Sequence, residues 1–93
     1  SAASDVYKRQ VTDGGIIFGE GAKGTVSVFS HSDISCGVTV SGLKYGLKNG
    51  TLKNTYALGV SNEFIGAKSE ISVARGTLTV VYPSSAEPVF FRF

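Results

Sequence analysis

Hydrophobic and polar residues alternate along short runs of this chain, a pattern typical of β-strands that bury one face. The clearest run is 34–41, in which Ile, Cys, Val and Val alternate with Ser, Gly, Thr and Ser. No window of helix length carries apolar residues at the three-to-four spacing of an amphipathic helix. The pattern predicts strands at Gly15–Phe18, Gly24–Ser30, Ile34–Ser41, Leu43–Lys48, Thr51–Val60, Glu70–Ala74, Thr77–Tyr82 and Val89–Phe93.

Asn49 and Gly50 predict a hairpin, because Asn-Gly tolerates the positive φ angles of a two-residue type I′ turn. The turn pairs Leu43–Lys48 with the strand that begins at Thr51, and this register assigns each side chain to one of two faces. The inward face holds Leu43, Tyr45, Leu47, Leu52 and Tyr56, and the outward face holds Lys44, Lys48, Thr51, Lys53 and Thr55.

Arg75 and Gly76 predict a second hairpin, with Val73 opposite Leu78 and Ile71 opposite Val80. The segment 61–69 has no strand pattern and is expected to be a loop, with Phe64 and Ile65 buried beneath it. Short strands with frequent turn signals predict a compact antiparallel β-sandwich of seven or eight strands, immunoglobulin-like or jelly-roll-like, with a small β-barrel as the alternative.

The first ten residues, SAASDVYKRQ, have a different origin from the rest. They match one reading frame of the DNA string TCG GCA GCG TCA GAT GTG TAT AAG AGA CAG, which resembles a transposon-based library adapter. We therefore expect residues 1–10 to be a non-native translated adapter segment. Residues 11–93 are expected to form a single β domain, the C-terminal fragment of a longer protein.

The charge balance gives no general attraction to nucleic acid or to a membrane. Nine Lys and Arg residues face seven Asp and Glu, and the formal net charge of +2 falls to +1 without the adapter segment. No run of like charges is present, so an electrostatic partner would have to be bound by a local patch. Apolar runs are a few residues long, against the roughly 20 that span a membrane as a helix. We expect no nucleic-acid partner and no membrane span.

The segment 30–36 contains Ser, His, Asp and Cys, the residue types of a nucleophilic triad. Triad partners usually come from separate elements, and Ser and Asp at this spacing favour a polar turn. Cys36 is expected to be buried on the apolar side of its strand. With one His and one Cys in the chain, we expect no metal, cofactor or catalytic site.

Two surfaces are candidates for binding. Lys44, Lys48 and Lys53 form an anion-binding face in the predicted register, and a solvated strand face is the alternative. Phe90, Phe91 and Phe93 place aromatic area on both sides of the last strand and form a candidate interface with a protein partner or the chain's own upstream domains.

These observations favour a structural or binding module that is not an enzyme. The module is expected to belong to a phage virion component or to a bacterial surface or appendage protein, so an extracellular or virion location is expected. The alternative is a carbohydrate-binding or accessory domain of a secreted enzyme, with an anionic glycan as partner. Tyr45 and Tyr56 would then stack on sugar, although the predicted register turns both inward.

Overall fold

The computed structural model describes residues 5–54 and 61–93. Its strands are β1 (Val6–Phe18), β2 (Thr25–Ser30), β3 (Ile34–Ser41), β4 (Leu47–Lys53), β5 (Asn62–Glu63), β6 (Ser69–Pro83) and β7 (Val89–Arg92), with one 3-10 turn at Ser84–Ala86. The main sheet has the order β4-β3-β6-β1-β7, β2 lies beside β6, and β5 lies beside β2. All these pairings are antiparallel, which confirms the predicted all-β antiparallel class.

β6 is the central strand and continues through the position where a hairpin was predicted. It pairs with β1 along one side, and with β3 and then β2 along the other. Gly76 has a φ of 118° and Asp13, on β1, has a φ of 43°, so both strands change direction at the same level. The Gly76 amide donates to Asp13 Oδ1 at 3.1 Å. The Arg75–Gly76 hairpin is therefore wrong, because glycine's conformational freedom bends the strand here instead of reversing it.

The predicted Asn49–Gly50 hairpin is also wrong. Asn49 does have a positive φ of 50°, but Gly50 does not, and a type I′ turn needs both. Both residues lie inside β4, which pairs with β3 through register shifts, and the Asn49 amide donates to Thr39 Oγ1 at 3.3 Å. Asn-Gly thus forms an irregularity within one strand. Residues 55–60 of the predicted strand, including Tyr56, lie outside the described residues.

β3 departs from its predicted alternation at Gly37. This glycine has a φ of 64°, and the register with β4 shifts there. Val38 is buried as predicted, but Ile34 is exposed, Cys36 is half-buried and Ser35 is fully buried. The irregularity exchanges the two faces of the strand, so the expected burial of Cys36 is wrong.

A buried cluster forms the core and draws most of its side chains from β1, β2, β3 and β6, with Leu52 from β4. Phe18 is its largest fully buried side chain. The Phe18 ring meets the rings of Phe64 and Tyr82 edge to face, with centroid distances of 4.9 and 5.4 Å. These aromatic contacts join the end of β1, the segment after β5 and the end of β6.

β1 includes part of the segment assigned to the adapter. Val6–Gln10 pair with Thr79–Pro83 of β6, and all five of their side chains are exposed. The segment therefore contributes backbone pairing and one side-chain contact to the core, in which the Tyr7 ring meets the Tyr82 ring edge to face at 6.0 Å. Its adapter origin stays a prediction.

The C-terminal strand β7 pairs with β1, from Gly14 opposite Arg92 to Ile17 opposite Val89. The Phe91 ring packs on Gly15, where a side chain would collide with it. Phe90 and Phe93 are exposed, and the rings of Phe91 and Phe93 meet edge to face at 5.5 Å. An interface at these phenylalanines stays a prediction.

Candidate functional site

The hydroxyl groups near His31 stabilise a turn. Ser30 Oγ donates to the Ser32 carbonyl at 2.6 Å and is 2.7 Å from Ser35 Oγ, and the Thr77 amide donates to Ser32 Oγ at 3.0 Å. Asp33 accepts from the Asn54 side chain at 3.1 Å. The arrangement agrees with the predicted polar turn between β2 and β3. Each of these groups makes a hydrogen bond within the turn or to an adjacent segment.

The three lysines do not share a hairpin face. Lys48 and Lys53 lie on β4, whereas Lys44 lies in the connection before it and forms a salt bridge to Glu63 with an Nζ to Oε2 distance of 3.0 Å. The common face required the hairpin register, which the β3–β4 pairing replaces. Anion binding by these lysines stays a prediction.

A cavity lies where the connection between β3 and β4 meets β5. It has a volume of about 210 Å³. An apolar floor is continuous with the core, and the rim carries a hydroxyl, an amide and a phenol ring. The lining residues are Val28, Val40, Tyr45, Gly46, Leu47, Thr51, Leu52 and Asn62.

Asn62 holds the wall of this cavity in place. Its side chain is buried, and Oδ1 accepts from the Tyr45 amide at 2.9 Å while Nδ2 donates to the Tyr45 carbonyl at 2.7 Å. The same Oδ1 accepts from the Glu63 amide at 3.0 Å. One amide side chain therefore fixes the backbone that carries the Tyr45 ring. Tyr45 itself is 58% exposed.

The ammonium of Lys44, which is paired with Glu63, lies over the Tyr45 ring. Lys44 Nζ is 5.5 Å from the ring centroid, and the Lys44 amide donates to the Glu63 carbonyl at 3.0 Å. The hydrogen bond to Glu63, and then its charge, raise the pKa of Lys44 above its ordinary value. The ammonium is therefore positive throughout the physiological pH range.

This arrangement suits one flat ring. The cavity volume is below the roughly 300–1,000 Å³ of sites for drug-sized ligands, so it accommodates part of a small molecule. The Tyr45 face attracts an aromatic or cationic group, and the Glu63 carboxylate adds a negative charge beside it. The predicted inward orientation of Tyr45 is wrong, because the hairpin that set it does not form.

Asn62 escaped sequence reasoning because it lies in the segment 61–69, which was predicted to be a loop. Of the two apolar residues expected to be buried there, Phe64 packs on the core and Ile65 is exposed. A single Asn in a polar segment gives no local signal that its amide is buried and bonded to a residue 17 positions away.

Replacing Asn62 by alanine is expected to lower the free energy of unfolding by about 2 kcal/mol, because three partly buried backbone groups lose a partner. Urea unfolding followed by circular dichroism measures the loss. Asn54→Ala is the matched control, since the exposed Asn54 side chain makes a hydrogen bond to Asp33, and it should cost less than about 0.5 kcal/mol. Equal losses in the two variants would contradict the role given to Asn62.

A second, more open hollow of about 480 Å³ lies between β1 and β7. Its lining includes Arg9 and Gln10 of the adapter-like segment.

Among residues 5–54 and 61–93, no group of three His, Cys, Asp or Glu side chains could hold a metal ion. No helix in this part of the chain is both long and apolar enough to cross a membrane.

Comparison with known proteins gives both a family and a fold. The family model described as thiamin pyrophosphokinase, vitamin B1 binding domain, matches residues 16–78. The solved structure of thiamine pyrophosphokinase from Bacillus subtilis is similar over 86% of this chain and 38% of that chain, with a TM-score of 0.75 and 23% identity. Thiamin pyrophosphokinase from Geobacillus thermodenitrificans is similar over 88% and 40%, with a TM-score of 0.71 and 23% identity.

The chain spans about two fifths of the length of these two solved structures. No curated protein matches the sequence. The matched range 16–78 contains every residue that lines the cavity beside Tyr45.

Proposed function

Since this chain belongs to the thiamin pyrophosphokinase vitamin B1 binding domain family, we propose that it binds thiamin as one domain of a thiamin pyrophosphokinase. The site proposed is the cavity beside Tyr45. The observation that carries this assignment is the exposed ring of Tyr45, which lines an apolar cavity inside the matched range. Asn62 fixes the backbone of Tyr45 by two hydrogen bonds.

The family match corrects several expectations from the sequence. The structural or binding module of a virion, surface protein or appendage is wrong, and so are the carbohydrate-binding alternative and the expected protein and glycan partners. The expectation that the module is not part of an enzyme is wrong, because the matched family is a domain of an enzyme. An extracellular or virion location loses its basis and is wrong on the same finding.

Those expectations failed because they were inferred from the absence of catalytic residue patterns in the sequence. A domain that binds one substrate of an enzyme needs no acid, base or nucleophile of its own. We assign binding of the vitamin to this domain and the transfer of the pyrophosphoryl group to the remainder of the longer protein.

The chemistry of thiamin fits the cavity. Thiamin joins an uncharged aminopyrimidine ring to a thiazolium ring with a fixed positive charge. Flat rings of this kind stack on tyrosine, and a cation gains further from the face of the ring. The Glu63 carboxylate is 3.0 Å from the Lys44 ammonium that lies over this ring, and Thr51 offers a hydroxyl group in the cavity lining.

Titration of the 93-residue chain with thiamin, followed by chemical shifts in NMR, tests the assignment. We expect saturable shifts at residues around the cavity and about a tenfold weaker affinity in Tyr45→Ala, since stacking and cation attraction together contribute about 1–2 kcal/mol. Tyr7→Ala is the matched control, because Tyr7 is an exposed tyrosine beside the cation of Arg9 on the adapter-like segment. Absence of thiamin binding, or equal affinity in Tyr45→Ala, would contradict the proposal.

We propose that the sheet curves around its core as a small sandwich, supported by the attachment of β2 and β3 to successive parts of β6 and by the single buried cluster. We also propose that residues 11–93 are one β domain of a longer protein, in keeping with the length of the two similar structures.

A further inference from the structure

Lys44 lies where a positively charged ligand would be attracted. Its ammonium is 3.0 Å from the Glu63 carboxylate and 5.5 Å from the centre of the Tyr45 ring. These two groups are also the features of the site that favour a cation. We propose that Lys44 is an internal competitor, whose ammonium occupies the position of the thiazolium charge and is displaced when thiamin binds; this inference rests on the proposed function.

Backbone hydrogen bonds hold Tyr45 and Glu63 close together without help from the Lys44 side chain. Asn62 Oδ1 accepts from the amides of both Tyr45 and Glu63, so one side chain fixes the backbone at both residues. Removal of the ammonium therefore leaves a preformed aromatic face with a carboxylate beside it. Such a preformed site loses little on binding a rigid cation.

The salt bridge is weak enough to be displaced. The side chains of Lys44 and Glu63 are 49% and 54% exposed, and ion pairs at such exposure contribute little because water screens them. The ammonium can move into solvent on its flexible stem and remain hydrated there. Thiamin, by contrast, brings a charge that is already fixed in a flat ring.

Competition of this kind lowers the affinity for cations and leaves the affinity for uncharged rings nearly unchanged. A cationic ligand must take the Glu63 carboxylate from the ammonium before its own charge is stabilised, whereas an uncharged ring makes no use of that carboxylate. Since a lysine side chain is already protonated throughout the physiological pH range, and Glu63 raises the pKa of Lys44 further, the competition persists over that range. Lys44 thus sets how tightly the domain retains thiamin.

Thiamin affinities of four chains test the proposal: the wild type, Lys44→Gln, Glu63→Gln and the control Lys48→Gln. Lys48 is an exposed lysine on β4, and its replacement changes the net charge by the same amount without altering the Glu63 pair. We expect the dissociation constant to fall about three- to tenfold in Lys44→Gln, to rise about as much in Glu63→Gln, and to change less than about twofold in Lys48→Gln. Circular dichroism verifies that each chain is folded.

An uncharged probe separates competition for charge from a change of shape. Hydroxyethylthiazole, the neutral parent of the charged ring, should bind the wild type and Lys44→Gln with equal affinity. If thiamin binds the wild type but Lys44→Gln shows no gain, or shows the same gain for the neutral probe, the competitor role is overturned and the proposed function stands. If none of the four chains binds thiamin, both are overturned.

Discussion

Replacing Phe18 by alanine is expected to lower the free energy of unfolding by about 3–5 kcal/mol. Phe18 is fully buried, and its ring touches the rings of Phe64 and Tyr82, so the substitution leaves a cavity at the junction of β1 and β6. Domains of this size are stabilised by only about 5–15 kcal/mol in total, so the variant should unfold at a much lower urea concentration. Urea titration followed by circular dichroism and tyrosine fluorescence measures the change.

Phe93→Ala is the matched control for this substitution. The same atoms are removed from a residue that is 77% exposed, and the expected change is below about 0.5 kcal/mol. A loss of less than about 1.5 kcal/mol in Phe18→Ala would contradict the central position of this ring in the core.

Replacing Gly42 by alanine is expected to cost about 2–4 kcal/mol, for two reasons that add. Gly42 has a φ of 76°, which strains any residue with a side chain, and a Cβ there would collide with the backbone carbonyl oxygen of Lys68. The collision forces the connection that carries Tyr45 away from the start of β6. We therefore expect weaker thiamin binding as well as lower stability, both measured on the same preparation.

Two other glycines separate the reasons for that loss. Gly66 has a φ of 80° with open space around it, so Gly66→Ala reports strain alone, about 1 kcal/mol. Gly14 does not have a positive φ, but a Cβ there would collide with the Phe91 carbonyl, so Gly14→Ala reports collision alone. A cost in Gly42→Ala no larger than that in Gly66→Ala would show that the connection moves freely and that the close approach to Lys68 is unimportant.

The sequence predicts which side chains are buried better than it predicts how the strands connect. Ile71, Val73, Leu78 and Val80 are all fully buried, as the alternation indicates. Alternation reports the direction of a side chain, and this direction is the same whether Gly76 reverses the chain or bends it. The choice depends on the pairing of β6 with β1, more than 50 residues earlier in the chain at Phe18 and Ser69. Local turn chemistry cannot distinguish these outcomes.

The same limit applies to the site. The orientation of Tyr45 follows from the pairing of β3 with β4 and from its bonds to Asn62, and neither is visible in the residues next to Tyr45. The site uses one aromatic ring, one amide and one ion pair, which are residue types common on any protein surface. Spacing patterns detect metal ligands and nucleophiles because these are rarer combinations. A binding site of this kind becomes apparent only after folding brings its parts together.

The central place of β6 also governs how the chain can acquire its structure. β1, β2 and β3 all take β6 as a neighbour, although β6 starts at Ser69, after all three have been synthesised. On the ribosome, these earlier strands emerge before β6. Until β6 is synthesised, the edges that pair with it and the apolar faces that it covers stay exposed. Contacts between such distant parts of a chain are slow to form, so the nascent domain is open to aggregation until β6 is complete.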